Sequence, residues 1–134
     1  MPSSSNFVFI FVSLAMLMQT ITATGLFSKT KGEVSIGDAT YYNPGPGSCG
    51  FTNAENEDIV AMNYVQMENG PNPNNNPLCD TYIIIKGSQG ESKARIVDTC
   101  PKCEYGCLDL SPKVFLDVCG DLDKGRCTVR WKFM

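Results

Sequence analysis

Histidine is absent from the 134 residues. That excludes a Ser-His-Asp triad, a Cys-His nucleophilic pair and any His-ligated metal centre. Acid–base chemistry is left to Asp, Glu, Lys, Tyr and Cys. Basic residues are also scarce: 11 Lys and Arg stand against 14 Asp and Glu, for a formal net charge of −3. No basic stripe runs along the chain, so no nucleic acid is expected as a partner. There is no Asn-x-Ser/Thr triplet despite the many Asn, so N-glycosylation is not expected. No internal repeat is found, and the length fits one domain.

Long apolar runs are missing as well. The one candidate, residues 7–18 (FVFIFVSLAMLM), is too short to span a bilayer comfortably but suits the core of a signal peptide. Small residues follow in TITATG, so cleavage is expected after Ala23 or Thr24, although the leading MPSSSN carries no Lys or Arg. The expected organisation is a signal peptide at 1–24, a polar leader at 25–36 and one folded domain at 37–134. The product is expected to be secreted and extracellular, with no membrane association after cleavage.

Cysteine is abundant by contrast. All seven Cys follow residue 48. An exported chain meets an oxidising compartment, so three bridges and one leftover thiol are expected. Six paired Cys allow fifteen connectivities, which spacing alone does not resolve. Cys100-Pro-Lys-Cys103, with Cys107 four residues on, is also a C-x-x-C of the kind used for zinc or redox work. Zinc would need a fourth ligand, from Cys119 or Cys127. A thioredoxin-type dithiol should open a helix, whereas the helix here begins about eight residues later. Export favours structural disulfides, and neither a metal nor a cofactor is expected.

The domain reads as β-rich. Strand signals lie at residues 39–42, at the apolar middle of 58–65, at YIIIK (82–86) and at KARIVD (93–98), the last two forming a hairpin across Ser88-Gln89-Gly90. In the last strand Cys127, Val129, Trp131 and Phe133 alternate with Thr128, Arg130 and Lys132, predicting one buried and one solvated face. Turn-rich loops fill 43–49 and 68–77. One short helix is predicted, with Ser111 as N-cap, Pro112 at its first position, Gly120 at its end, and Val114, Phe115 and Val118 on one face. One helix among about six strands, without a βαβ rhythm, predicts a mainly β, compact barrel.

Two carboxylates stand out. Asp98 ends the KARIV strand, and alternation is read as leaving it at the surface. Asp109 lies between Leu108 and Leu110, which predicts core Leu side chains and an Asp facing the other way. Two carboxylates beside a short Cys-tied loop can flank one groove, and paired carboxylates are the tools of glycoside hydrolysis. The alternative role for Asp109 is to order the turn into the helix and favour its positive N-terminus.

These residues resemble a known family. Val97-Asp98-Thr99-Cys100-Pro101 with Gly106-Cys107-Leu108-Asp109-Leu110-Ser111-Pro112 is similar to the signature of the double-psi β-barrel proteins. That group includes barwin, expansin domain 1, plant natriuretic peptides, proteins similar to rare lipoprotein A, and a bacterial papain inhibitor. Residues 37–42 (GDATYY) open the resemblance, Cys49-Gly50 follows, and residues 125–131 (GRCTVRW) close it. It implies a six-stranded barrel with a shallow, polysaccharide-sized groove. In expansin-like members that groove is lined by positions matching Thr40, Tyr42, Asp98 and Asp109. The Asp matching Asp109 also matches the general acid of family-45 glycoside hydrolases, which makes it the catalytic candidate. The second hydrolase carboxylate is replaced here by Asn43, and an amide cannot activate water as a base. Where expansin-like members often have Tyr two residues after the first Asp, this chain has Cys100.

The resemblance to barwin-like members implies a Cys49–Cys79 bridge. Cys119 and Cys127 flank the turn from the helix to the last strand and are paired here. Cys100–Cys103 is the third choice, leaving Cys107 odd. The expected role is non-hydrolytic engagement of cell-wall polysaccharide, with Asp98, Asp109 and Thr40 hydrogen-bonding sugar hydroxyls and Tyr42 offering a ring face. The alternative is a protein-binding effector or cysteine-protease inhibitor on the same barrel, with a secreted protease or other protein as partner, using loops 43–49 and 68–77.

Overall fold

Side-chain alternation puts six segments into extended backbone, and their registers close them on one another. The computed structural model describes residues 32–134, so the signal-peptide segment and most of the leader lie outside the described residues. The strands are β1 (Ser35–Tyr41), β2 (Ile59–Asn63), β3 (Tyr82–Lys86), β4 (Glu91–Cys100), β5 (Leu108–Leu110) and β6 (Cys127–Phe133). They form a closed barrel in the order β1-β5-β2-β4-β3-β6. The β1–β5 and β2–β4 pairs are parallel and the other four pairs antiparallel. Closure leaves no strand edge unpaired, which removes the usual route to edge-to-edge association. β1 opens at Ser35, two residues ahead of the position where the sequence analysis began the domain.

The mainly β, six-stranded barrel is the fold read from the sequence. It carries a second short helix that the sequence reading left out. α1 (Tyr64–Met67) follows β2 directly, and α2 (Pro112–Cys119) follows β5. The local signal for α1 is Asn63 followed three residues later by Gln66: the Asn63 side chain accepts from the Gln66 backbone N–H at 2.9 Å. That is the N-terminal half of a capping box, and it turns the end of an apolar run into a helix. In α2, the Ser111 hydroxyl accepts from the Val114 N–H at 3.3 Å, and Gly120 closes the helix at φ 88°.

The core is drawn from alternate residues of every strand. Val129 and Trp131 of β6, Ile83 and Ile85 of β3, and Leu108 and Leu110 of β5 all point inward, joined by Val114, Phe115 and Val118 of α2. The Tyr41 ring meets Phe115 at 4.9 Å between centroids, a tilted contact that seals the α2 side. Trp131 is 2 % exposed, and its indole N–H is not stranded: it donates to the Gly106 carbonyl at 2.8 Å. Gly106 in turn donates to Gln66 Oε1 at 3.0 Å, so the loop before β5 is held to both α1 and β6.

Three disulfides join Cys49 to Cys79, Cys100 to Cys103 and Cys119 to Cys127, with Cα separations of 5.6, 5.4 and 6.0 Å. Cys107 is a free, half-buried thiol. Three bridges in a domain of this size suit an oxidising compartment.

Candidate functional site

Barrel register assembles the acidic site. Thr40 of β1 pairs with Asp109 of β5, Asp109 pairs with Ala61 of β2, and Ala61 pairs with Asp98 of β4. Thr40, Asp109, Ala61 and Asp98 therefore form one row across four strands. Adjacent strands lie about 4.8 Å apart, so the two carboxylate-bearing positions are two such steps from each other. Ala61 is the small residue between them, and the sequence reading did not include it. Only the pairing of β2 between β5 and β4 gives it that place.

Asp98 reaches this row by a route other than the alternation read from sequence. Ala94 and Ile96 point into the core, so strict alternation would send Asp98 inward with them. The β2–β4 register shifts between Val60 and Ala61: Val60 pairs with Ile96, but Ala61 pairs with Asp98. Val97 is the extra residue of a β-bulge, and the bulge turns Asp98 to the outer face beside Asp109.

Each acid has a specific environment. Asp109 Oδ1 accepts from the Thr40 hydroxyl at 2.8 Å. The helix cap is made by Ser111, so the Asp109 carboxylate is left to the groove. Partial burial raises the Asp109 carboxyl above its ordinary 3.8; the Thr40 hydroxyl opposes that rise, and the Asp98 charge adds to it. Asp98 Oδ1 accepts two backbone N–H groups, from Ser48 and from Thr99, each at 2.8 Å. Asp98 thus also anchors the loop after β1. Tyr42 lies close enough to feel both acids: burial first, then the Asp98 and Asp109 charges, push its hydroxyl well above the ordinary tyrosine value. It remains a neutral phenol at any physiological pH. Thr40 and Asp109 line a cleft of about 500 Å³ together with the Cys100–Cys103 bridge, the free Cys107 and the Asp38–Arg126 ion pair. Asp98 and Tyr42 do not line that cleft; they lie beside it.

The raised Asp109 carboxyl gives a signed expectation. An acid whose value is raised by folding destabilises the fold once ionised. Stability is lost as pH climbs from 3.8 through the raised value and regained on acidification. Asp109→Asn keeps an oxygen to accept the Thr40 hydroxyl. At neutral pH it should melt at the same temperature as the parent or higher. That difference should shrink to a constant as pH falls toward 3.8, as paired thermal melts across the acid range will report. A variant that melts lower at pH 7 would assign Asp109 a structural role.

The two loops form a second feature. Residues 43–53 and 69–79 contain no charged side chain. The Cys49–Cys79 bridge joins them, and Asn74 packs against Gly50, where even a Cβ would crowd its amide at 3.1 Å. Both loops also meet at one hydroxyl: Ser48 Oγ lies 2.7 Å from Thr99 Oγ1, and Asn69 Nδ2 donates to the same oxygen at 2.9 Å. The second loop is braced internally by Asn76, whose amide donates to Met67 O at 2.6 Å and Asn69 Oδ1 at 2.7 Å while accepting from the Leu78 N–H. Asn43, Pro46, Thr52, Asn72, Asn74 and Asn75 are exposed on the resulting platform. The bracing roles of Thr99, Asn69 and Asn76 are not visible in the sequence, because hydrogen bonds between side-chain amides and hydroxyls distant along the chain leave no periodic signal.

No family model matches the sequence. The chain is, however, 34 % identical over 107 residues to the papain inhibitor of Streptomyces mobaraensis, covering 77 % of this chain and 73 % of that protein. The chain belongs to the double-psi β-barrel family that includes this papain inhibitor. The solved Streptomyces papain inhibitor superposes with a TM-score of 0.71 at 31 % identity, over 78 % of this chain and 96 % of the other. The expansin of Clavibacter michiganensis, solved with cellohexaose, shares the fold at a TM-score of 0.64 and 24 % identity; the match covers 76 % of this chain but half of that one. Within this family the barrel is the common element. The acidic row and the uncharged platform are two separate surfaces of that barrel.

Proposed function

We propose that this member of the papain-inhibitor family is a secreted inhibitor of papain-like cysteine proteases, contacting the enzyme through the platform of residues 43–53 and 69–79. The observation that carries the reading is similarity to a papain inhibitor over nearly that protein's whole solved length. The platform supplies a physical means. Binding costs free energy for every loop that must be ordered, and these loops are already ordered by a disulfide, a shared hydroxyl and the Asn76 bonds. An uncharged surface of Asn, Pro, Gly and Thr also avoids desolvating formal charges in the contact. Inhibition by occlusion requires no catalytic group on the barrel.

The test is a titration of papain with the recombinant protein, read by hydrolysis of a small fluorogenic peptide. Tight inhibition is expected. Asn43→Glu combined with Asn75→Glu places two charges on the platform and should weaken inhibition by about tenfold or more, with an unchanged melting temperature. Asp109→Asn should inhibit like the parent. Full activity of papain at a large molar excess of the parent would end this reading.

The row Thr40–Asp109–Ala61–Asp98, with Tyr42 beside it, favours a second reading on a separate surface: non-hydrolytic engagement of neutral wall polysaccharide. Asn43 cannot serve as the base, so incubation with soluble glucans should release no reducing ends. Asp109→Asn should lower retention on insoluble glucan severalfold, because the amide loses the charge that strengthens hydrogen bonds from sugar hydroxyls. Release of reducing ends that disappears in Asp109→Ala would overturn the non-hydrolytic assignment.

A further inference from the structure

On the β3–β6 wall, cations that are scattered in sequence come together. Arg130 pairs across β6–β3 with Lys86, and Lys132 pairs with Ile84. These positions, with Val34 and Glu91, line a groove of about 630 Å³ on the barrel's outer face. Lys86, Arg130 and Lys132 are exposed. Among the described residues the ion pairs are made by Arg95, Lys113 and Arg126; Lys86, Arg130 and Lys132 take part in none. A protein with 14 acids and 11 bases thus brings three cations together around one groove, with a single lining acid, Glu91, which sits opposite Lys86 in the β3–β4 register and leaves a net positive surface. An excess of like charge on one face costs stability through repulsion, which an anionic ligand would relieve.

We propose that this groove binds an acidic polysaccharide, through uronate carboxylates, at a site separate from both the platform and the Asp109 row. The cations occupy neighbouring strands about 4.8 Å apart and alternate positions of β6 about 7 Å apart, a grid suited to a linear chain with regularly repeated carboxylates. Arg130 offers a planar fork that pairs two carboxylate oxygens, and the two Lys add point charges. Ile84 and Val34 supply apolar surface for the C–H faces of sugar rings. An acidic peptide is disfavoured because the barrel is closed: neither β3 nor β6 has a free edge, so an extended peptide gains no main-chain pairing here. A lipid surface is disfavoured because the cations line a concavity, whereas interfacial binding requires a protruding apolar face.

The experiment measures binding of the intact mature protein to polygalacturonate, with dextran as the neutral control, poly-L-glutamate as the acidic peptide and phosphatidylserine vesicles as the lipid surface. Polygalacturonate should be bound most tightly at about 50 mM salt and released by about 0.5 M, where screening is nearly complete. The triple variant Lys86→Ala, Arg130→Ala, Lys132→Ala should bind about tenfold more weakly with an unchanged circular dichroism spectrum. Lys102→Ala, which removes a cation from a different face, should bind like the parent. The proposal fails if the parent does not bind polygalacturonate, if the triple variant binds as well as the parent, or if Lys102→Ala loses as much as the triple variant. It also fails if poly-L-glutamate or the vesicles are bound more tightly. None of the outcomes that decide the proposal depends on papain or on retention by insoluble glucan, so they stand apart from the two readings above.

Discussion

Replacing Cys49 and Cys79 with Ala should remove about 3–4 kcal/mol of stability and lower the melting temperature by about 10–20 °C. The two residues close a loop of 30 residues, the longest of the three bridges; the others close 3 and 8. Loop-closure entropy grows with the logarithm of loop length, so loss of Cys119–Cys127 should cost about 2–3 kcal/mol and loss of Cys100–Cys103 below about 2 kcal/mol. On the inhibitor function proposed above, the same double variant should also inhibit papain far less than the parent, because the bridge joins the two halves of the platform. Chemical denaturation will show the ranking, and the Cys49/Cys79 variant should also unfold with the largest increase in m-value, since its unfolded chain expands most. A Cys100–Cys103 variant less stable than the Cys49–Cys79 variant would refute the loop-length account.

Gly106→Ala should be the most damaging single small substitution, costing about 2–4 kcal/mol. Gly106 is buried with φ 83°, a left-handed conformation that L side chains rarely adopt. A Cβ there would strike the Ile36 carbonyl, and a Cβ at Gly37 would strike the Gly106 carbonyl. The two glycines therefore let the loop before β5 lie directly against β1. Moving Gly106 would also disturb the carbonyl that accepts from Trp131 and the N–H that donates to Gln66. Gly70→Ala is the control: its φ is ordinary and nothing lies within 4 Å of an added Cβ, so stability should hold or rise by about 0.5 kcal/mol. Guanidinium titrations of both variants will check the contrast.

Much of the architecture could be read locally. YIIIK at 82–86, the alternating last strand and the Ser111–Pro112–Gly120 helix punctuation each announce an element whose side chains carry the whole signal. The Leu108-Asp109-Leu110 pattern placed Asp109 outward for the same reason. Other features depend on partners far away in sequence. α1 was missed because four residues leave no helical period to detect, and only the Asn63–Gln66 cap marks them. The wall of Lys86, Arg130 and Lys132 was invisible because charges from two separate strands form no run along the chain.

The sequence by itself determined a β-rich domain with a capped helix and the residue types that exclude His chemistry. These follow from local chemistry: propensity, alternation and the acid–base character of single side chains. Only the tertiary structure decided that Asp98 shares a row with Asp109 and Thr40, that Thr99 holds both platform loops, and that Lys86, Arg130 and Lys132 face one groove. Register is the physical reason. Strands that pair across 36 or more residues bring side chains together in a way fixed by which backbone groups bond, and a single bulge at Val97 moves Asp98 from the core side to the surface.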